Sequence, residues 1–181
     1  MHLESFVKRL QMDPEHPKVG GARLWVAQSS SVRPGESITM RIDCQPHDLS
    51  LNVGFCFSIK TINGVEGLSS YFETGKNGLL SYRIDEASAV EENWFYMGML
   101  RDNSVYQGTL FAAVTPKFEE QKKKSTLLLQ QMEGVKIFTV QIKLENGLEA
   151  QSFFDLMDFD AGLEQLNKVC YRISTQLAYE Q

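Results

Sequence analysis

At 181 residues, with 43% hydrophobic and 23% charged side chains, the chain has the size and composition of one globular domain, which excludes wholesale disorder. A formal charge of −5 argues against a nucleic-acid binder, which would carry a basic face. No apolar run approaches the roughly 20 residues that a membrane-spanning helix requires.

The start, Met1-His2-Leu3-Glu4-Ser5, has neither the basic nor the apolar region of a secretory signal. The compartment is therefore open: periplasmic if a signal has been removed, cytoplasmic otherwise. Leu3, Phe6, Val7 and Leu10 recur at close to 3.6 residues and predict a short N-terminal helix. Asp13-Pro14-Glu15-His16-Pro17 ends it, and Gly20-Gly21 reads as a flexible joint. Residues 1–19 thus read as an arm, and 20–181 as one domain.

From Arg23-Leu24-Trp25-Val26-Ala27 onward the pattern is that of strands. Arg33-Pro34-Gly35-Glu36 is a turn, and residues 37–43 alternate polar and apolar at period 2. Leu49, Leu51, Val53, Phe55, Phe57 and Ile59 mark the next strand, and Asn63-Gly64 after it is a hairpin signal. Gly75 to Gly78 reads as a turn, followed by the face Leu80, Tyr82, Ile84 and by strands at 93–99 and 105–114.

Thr115 and Pro116 then suit the start of a helix at about 117–133, with Leu128, Leu129 and Met132 on its apolar side and Gly134 at its end. A hairpin turns at Glu145-Asn146-Gly147. Asp158 or Asp160 opens a terminal helix at about 160–178, whose Leu163, Leu166, Val169, Cys170, Ile173 and Leu177 share one face. The fold class expected is mainly β (α+β): an antiparallel β-sandwich of seven or eight strands with these three helices.

The chain has three cysteines, at 44, 56 and 170, and their spacing fits no zinc site. Cys56 and Cys170 read as buried small hydrophobes. A Cys44–Cys56 bridge between neighbouring strands is the alternative.

Chemistry is sparse. None of His2, His16 and His47 stands beside a nucleophile in a strained turn, and no glycine-rich phosphate loop opens a helix. Asp155, Asp158 and Asp160 read as capping residues, with a calcium site as the rarer use. Glu73, Asp85, Glu91 and Glu92 are acids without a pattern that pairs them. The run Lys122-Lys123-Lys124 beside Glu119 and Glu120 reads as a solvated helix face. Trp25 and the Trp94-Phe95-Tyr96 cluster could offer a stacking platform, against the ordinary use of large aromatics in a core. Arg83 and Asp85 share a strand face, for an ion pair or for a partner.

Leu80-Ser81-Tyr82-Arg83-Ile84-Asp85 followed by Trp94 carries a resemblance. So does the later order: the helix Leu127-Leu128-Leu129-Gln130-Gln131-Met132, a strand from Ile137 to Leu144, Phe153-Phe154-Asp155-Leu156, and Asp160-Ala161-Gly162-Leu163-Glu164-Gln165-Leu166 ending in Cys170. The chain resembles, loosely over residues 38–172, the type VI secretion accessory family VasI/TagO, and more distantly the invasion-associated locus B proteins. The resemblance implies a β-sandwich accessory protein without catalytic residues. No signal, a longer N-terminal arm and no cysteine near Cys170 in sequence depart from that family.

The reading is therefore a non-catalytic accessory protein, not an enzyme, without cofactor or metal. It binds a protein partner, within a bacterial secretion or envelope assembly, through Trp25, Arg83, Asp85, Trp94 or Tyr96. Rival readings are a carbohydrate or small-ligand module and an intracellular inhibitor of phage or plasmid type. Open strand edges would admit a homodimer, though no residue specifies one.

Overall fold

The computed structural model describes residues 1–8, 19–31, 36–60, 73–101, 105–111, 118–144 and 147–179. The strands are β1 (His2–Lys8), β2 (Val19–Ala27), the two-residue β3 (Ser30–Ser31), β4 (Ser37–Gln45) and β5 (Ser50–Lys60). They continue with β6 (Glu73–Ile84), β7 (Val90–Arg101), β8 (Val105–Phe111), β9 (Ile137–Leu144) and β10 (Glu149–Asp155). Helix α1 spans Phe118–Gln131 and α2 spans Phe159–Tyr179.

The fold is mainly β, and among the described residues every strand belongs to a single antiparallel sheet in the order β1-β2-β4-β5-β8-β7-β6-β9-β10-β3. The two separate sheets expected from the sequence are not found. Alternation cannot tell the two cases apart, because a curled sheet buries one face of each strand just as a sandwich does. Here the curl is strong. Phe55 of β5 stacks on Phe138 of β9 with ring centroids 6.2 Å apart, although β8, β7 and β6 lie between them in the sheet. Phe138 also meets Tyr82 and Phe154, at 5.8 and 6.1 Å, and Phe55 meets Trp94 at 5.5 Å. The terminal strands β1 and β3 do not pair with each other, so the sheet is not closed into a barrel.

The chain bends sharply at Gln28-Ser29, between β2 and β3. One side chain holds the bend. Gln28 Oε1 accepts from the Ile38 amide at 2.7 Å and from the Ser152 hydroxyl, while its Nε2 donates to the Glu36 carbonyl. The Ser29 amide and hydroxyl both donate to the Phe153 carbonyl, at 2.7 and 2.8 Å. A single stretch of chain thereby joins β4 on one side to β10 on the other.

Helix α1 packs on the start of β5. Among the described residues β8 pairs with β5 from Gly54 onward and with β7 from Phe95 onward, and α1 bonds to the residue before each of those stretches or close to it. The buried Ser125 hydroxyl accepts the Val53 amide at 2.8 Å, and Lys124 Nζ donates to the Asn93 carbonyl at 3.1 Å. Leu128 and Met132 point into the core, and Gly134 ends the helical segment with φ +71°. Helix α2 packs on β2 and β4, burying Leu166 and Cys170.

Several local expectations are corrected. Residues 2–8 form a strand, not a helix: a helix of about ten residues is marginal on its own, whereas the free edge of β2 supplies a full ladder to β1. Gly20-Gly21 lies inside β2 and pairs with β1, so it is not a joint. Gly75 to Gly78 lies within β6, where the register shifts between Thr74 and Lys76 at a bulge rather than a turn. Asn63-Gly64 falls outside the described residues, as do Pro14, Pro17, residues 33–35, Thr115 and Pro116; β5 continues to β8 in the sheet and not to β6.

The cysteines pair differently from either expectation. Cys44 and Cys170 form a buried disulfide, Cα–Cα 5.9 Å, linking β4 to α2 across 126 residues of sequence. Cys56 stays a free thiol. It cannot reach Cys44, because it pairs opposite Thr39 near the far end of β4, whose side chain alternates away from the buried face that holds Cys44. Among the described residues no helix is long and apolar enough to cross a membrane.

Candidate docking groove

A groove of about 610 Å³ opens where α1, α2 and the β4–β5 turn come together. From the turn and the start of β5 come Asp48, Leu49, Ser50 and Leu51; from α1, Lys122, Thr126, Leu129 and Gln130, with Glu133 just after it; from α2, Asp160, Leu163, Glu164 and Asn167. On both helices these positions recur every three or four residues, so each helix gives one continuous face to the groove. The α1 face adjoins the core stripe of Leu128 and Met132 and shares Leu129 with it, since Leu129 is 7% exposed and part of the core.

Asp48 organises the turn. Its Oδ1 accepts from the Ser50 amide at 3.0 Å and from the Ser50 hydroxyl at 2.6 Å, and its Oδ2 accepts from Lys122 Nζ at 2.8 Å. Burial of the carboxyl pulls its pKa upward, but the hydrogen bonds from Lys122 and Ser50 outweigh that and hold it at about 2, below the ordinary 3.8. The bond to Asp48 raises the pKa of Lys122 in turn. Next to Asp48, Leu49 takes a left-handed backbone with φ 56°, and its side chain stands 45% exposed.

The other end of the groove is joined differently. Asp160 Oδ2 accepts the Gly134 amide at 3.1 Å, which brings the end of α1 against the start of α2. Glu164 Oε1 lies 2.6 Å from Lys168 Nζ, one turn along α2, and this bond lowers the Glu164 pKa. The disulfide fastens the two sides of the groove, since Cys44 lies in the last residues of β4 before the turn and Cys170 lies one turn beyond Asn167.

The residues singled out from the sequence do not meet at one place. Trp94 and Tyr96 are 1% and 0% exposed, so they serve the core and cannot present a stacking platform. Trp94 Nε1 donates to Glu92 Oε2 at 3.0 Å. Trp25 is half-buried on the outer face of β2; its Nε1 donates to Glu4 at 3.0 Å, and the Arg23 guanidinium lies 5.1 Å from its ring. Arg23 and Arg41 flank Asp43 on the same outer face. Arg83 is exposed at a smaller depression of about 180 Å³, lined also by Thr139, Gln141 and Gln151. Asp85 holds a turn instead of pairing with Arg83. At φ 46° its carboxylate accepts the Lys136 and Ile137 amides at 3.2 and 2.8 Å, tying β6 to the start of β9.

Asp155 accepts the Met157 amide at 3.0 Å, Asp158 precedes α2 and accepts from Gly162, and no group of three metal-ligating side chains gathers among the described residues. The lysine run is not merely solvated, because Lys122 binds Asp48 in the β4–β5 turn and Lys124 binds the Asn93 carbonyl of β7.

Sequence reasoning missed the groove. Leu49 reads as the first residue of an alternating strand, and nothing local marks its turn conformation. The one usable signal is the polar row Thr126, Gln130 and Glu133 that runs beside the core residue Leu129. Comparison with known proteins finds no family model, no curated protein and no solved structure that matches this chain.

Proposed function

We propose that this chain is a non-catalytic domain that binds a protein partner, and that a segment of the partner docks in the groove between α1, α2 and the β4–β5 turn. The groove itself carries the reading. Asp48 is bonded to Ser50 and Lys122, Asp160 to the Gly134 amide and Glu164 to Lys168. Among these polar groups the groove offers apolar surface from the exposed Leu49 and the partly buried Leu51 and Leu163. A face built from two helical rows and a turn matches the way proteins seat a short amphipathic segment. An envelope or secretion assembly is the setting that the family resemblance adds. The buried Cys44–Cys170 bridge fits an oxidising compartment of that kind.

Leu49→Asn tests the docking. Asn tolerates φ near +56° better than Leu does, so the fold keeps or gains stability while the groove loses an exposed apolar side chain. The partner retained by wild-type protein from an envelope fraction is lost or weakened with Leu49→Asn and kept with Trp25→Ala. Equal retention by Leu49→Asn would remove the groove from the proposal.

A further inference from the structure

We infer that the groove selects a partner segment carrying lysine or arginine next to its apolar residues; this rests on the docking reading above. The groove is lined by four carboxylates, Asp48, Glu133, Asp160 and Glu164, against one ammonium, Lys122. They are unevenly placed. Asp48 and Lys122 neutralise each other where α1 begins. Glu164 is matched in turn by Lys168 of α2, 2.6 Å away, whereas Glu133 and Asp160 stand where α1 ends, and the Gly134–Asp160 bond fixes that junction. Along α1 the two ends lie roughly 16 Å apart, eleven residues at helical rise.

The end of α1 meets the start of α2 at this junction, so the opposite partial charges of the two helix termini offset each other and the side chains set its sign. Glu133, just beyond α1, and Asp160, in the first turn of α2, are both exposed and carry that negative charge. A lysine or arginine from outside would balance it. Its stem would lie along Leu163 and its head would reach Glu133. The occupant is therefore an apolar segment, basic at the end that meets the α1–α2 junction.

A displayed library of random twelve-residue peptides, panned on oxidised wild-type protein and counter-selected on Leu49→Asn, tests this. Expected are enriched peptides that combine aliphatic or aromatic residues with lysine or arginine, bind about tenfold more weakly to Glu133→Lys, and weaken as salt rises. Glu133→Lys changes an exposed side chain just beyond α1 and so leaves the fold intact, which thermal unfolding checks. Enriched peptides that are neutral or acidic, or that bind Glu133→Lys unchanged, would overturn the charge inference and leave docking standing. If capture never depends on Leu49, or only a second copy of this chain binds there, the docking reading falls with it.

Discussion

Single residues in this chain are set by the polar atoms that reach them more than by their type. Asp48 shows this most clearly, since one carboxylate holds its own turn and tethers α1 through Lys122. Its pKa of about 2 lies below the ordinary 3.8, so the charged form is favoured in the fold. A depressed acid contributes stability above its ordinary pKa and loses it as pH falls toward the folded value. Asp48→Asn should therefore unfold at lower urea than wild type near neutral pH, and the gap should close between about pH 4 and pH 2. A gap that persists at the acid end would mean that the carboxylate's charge is not what matters. Trp94 and Tyr96 teach the converse. Aromatic residues in a row suit a binding platform and a core equally well in sequence, and only the curl of the sheet, which puts Phe55 against Trp94, decides for the core.

At the scale of elements, the two helices and the strands that alternate cleanly were legible. β4 buries Ile38, Met40, Ile42 and Cys44 in strict alternation, and α2 buries Leu166 and Cys170 as its spacing requires. Elements whose state depends on a neighbour were not. β1 carries a helical spacing, yet it is a strand because β2 offers an edge, a fact that residues 2–8 do not contain. Nor does the α1 sequence record that the helix bonds to the start of β5. That contact puts weight on Ser125, whose hydroxyl is the partner of the buried Val53 amide. Ser125→Ala should cost about 1–3 kcal/mol, the penalty for a buried donor left unsatisfied, whereas Thr126→Ala on the exposed side should cost little. Urea unfolding of the two variants makes the comparison. Equal small losses would mean that water reaches Val53.

For the whole molecule, antiparallel β architecture and two packed helices followed from the pattern, while the single curled sheet and the disulfide did not. Alternation fixes which side of a strand is buried but not which strand lies beside it. A bridge spanning 126 residues leaves no local mark. Replacing Cys44 and Cys170 by serine should lower stability by about 2–5 kcal/mol and weaken partner docking, since the bridge fastens α2 beside the turn that carries Asp48 and Leu49. Denaturant unfolding measures the first effect. Thiol counting on unfolded, unreduced protein checks the premise, with Cys56 as the single reactive group. Three reactive thiols would show that the bridge does not form.

The bend at Gln28-Ser29 has a consequence for how the chain is made. During synthesis β2 emerges early and finds β1 and β4 close at hand, but β3 must wait for β10, and Ser29 for Phe153 across 124 residues. Throughout that wait the stretch is open to water and to other nascent chains. Gln28-Ser29-Ser30-Ser31 is polar without interruption, which keeps an unpartnered strand end soluble until its late neighbour arrives.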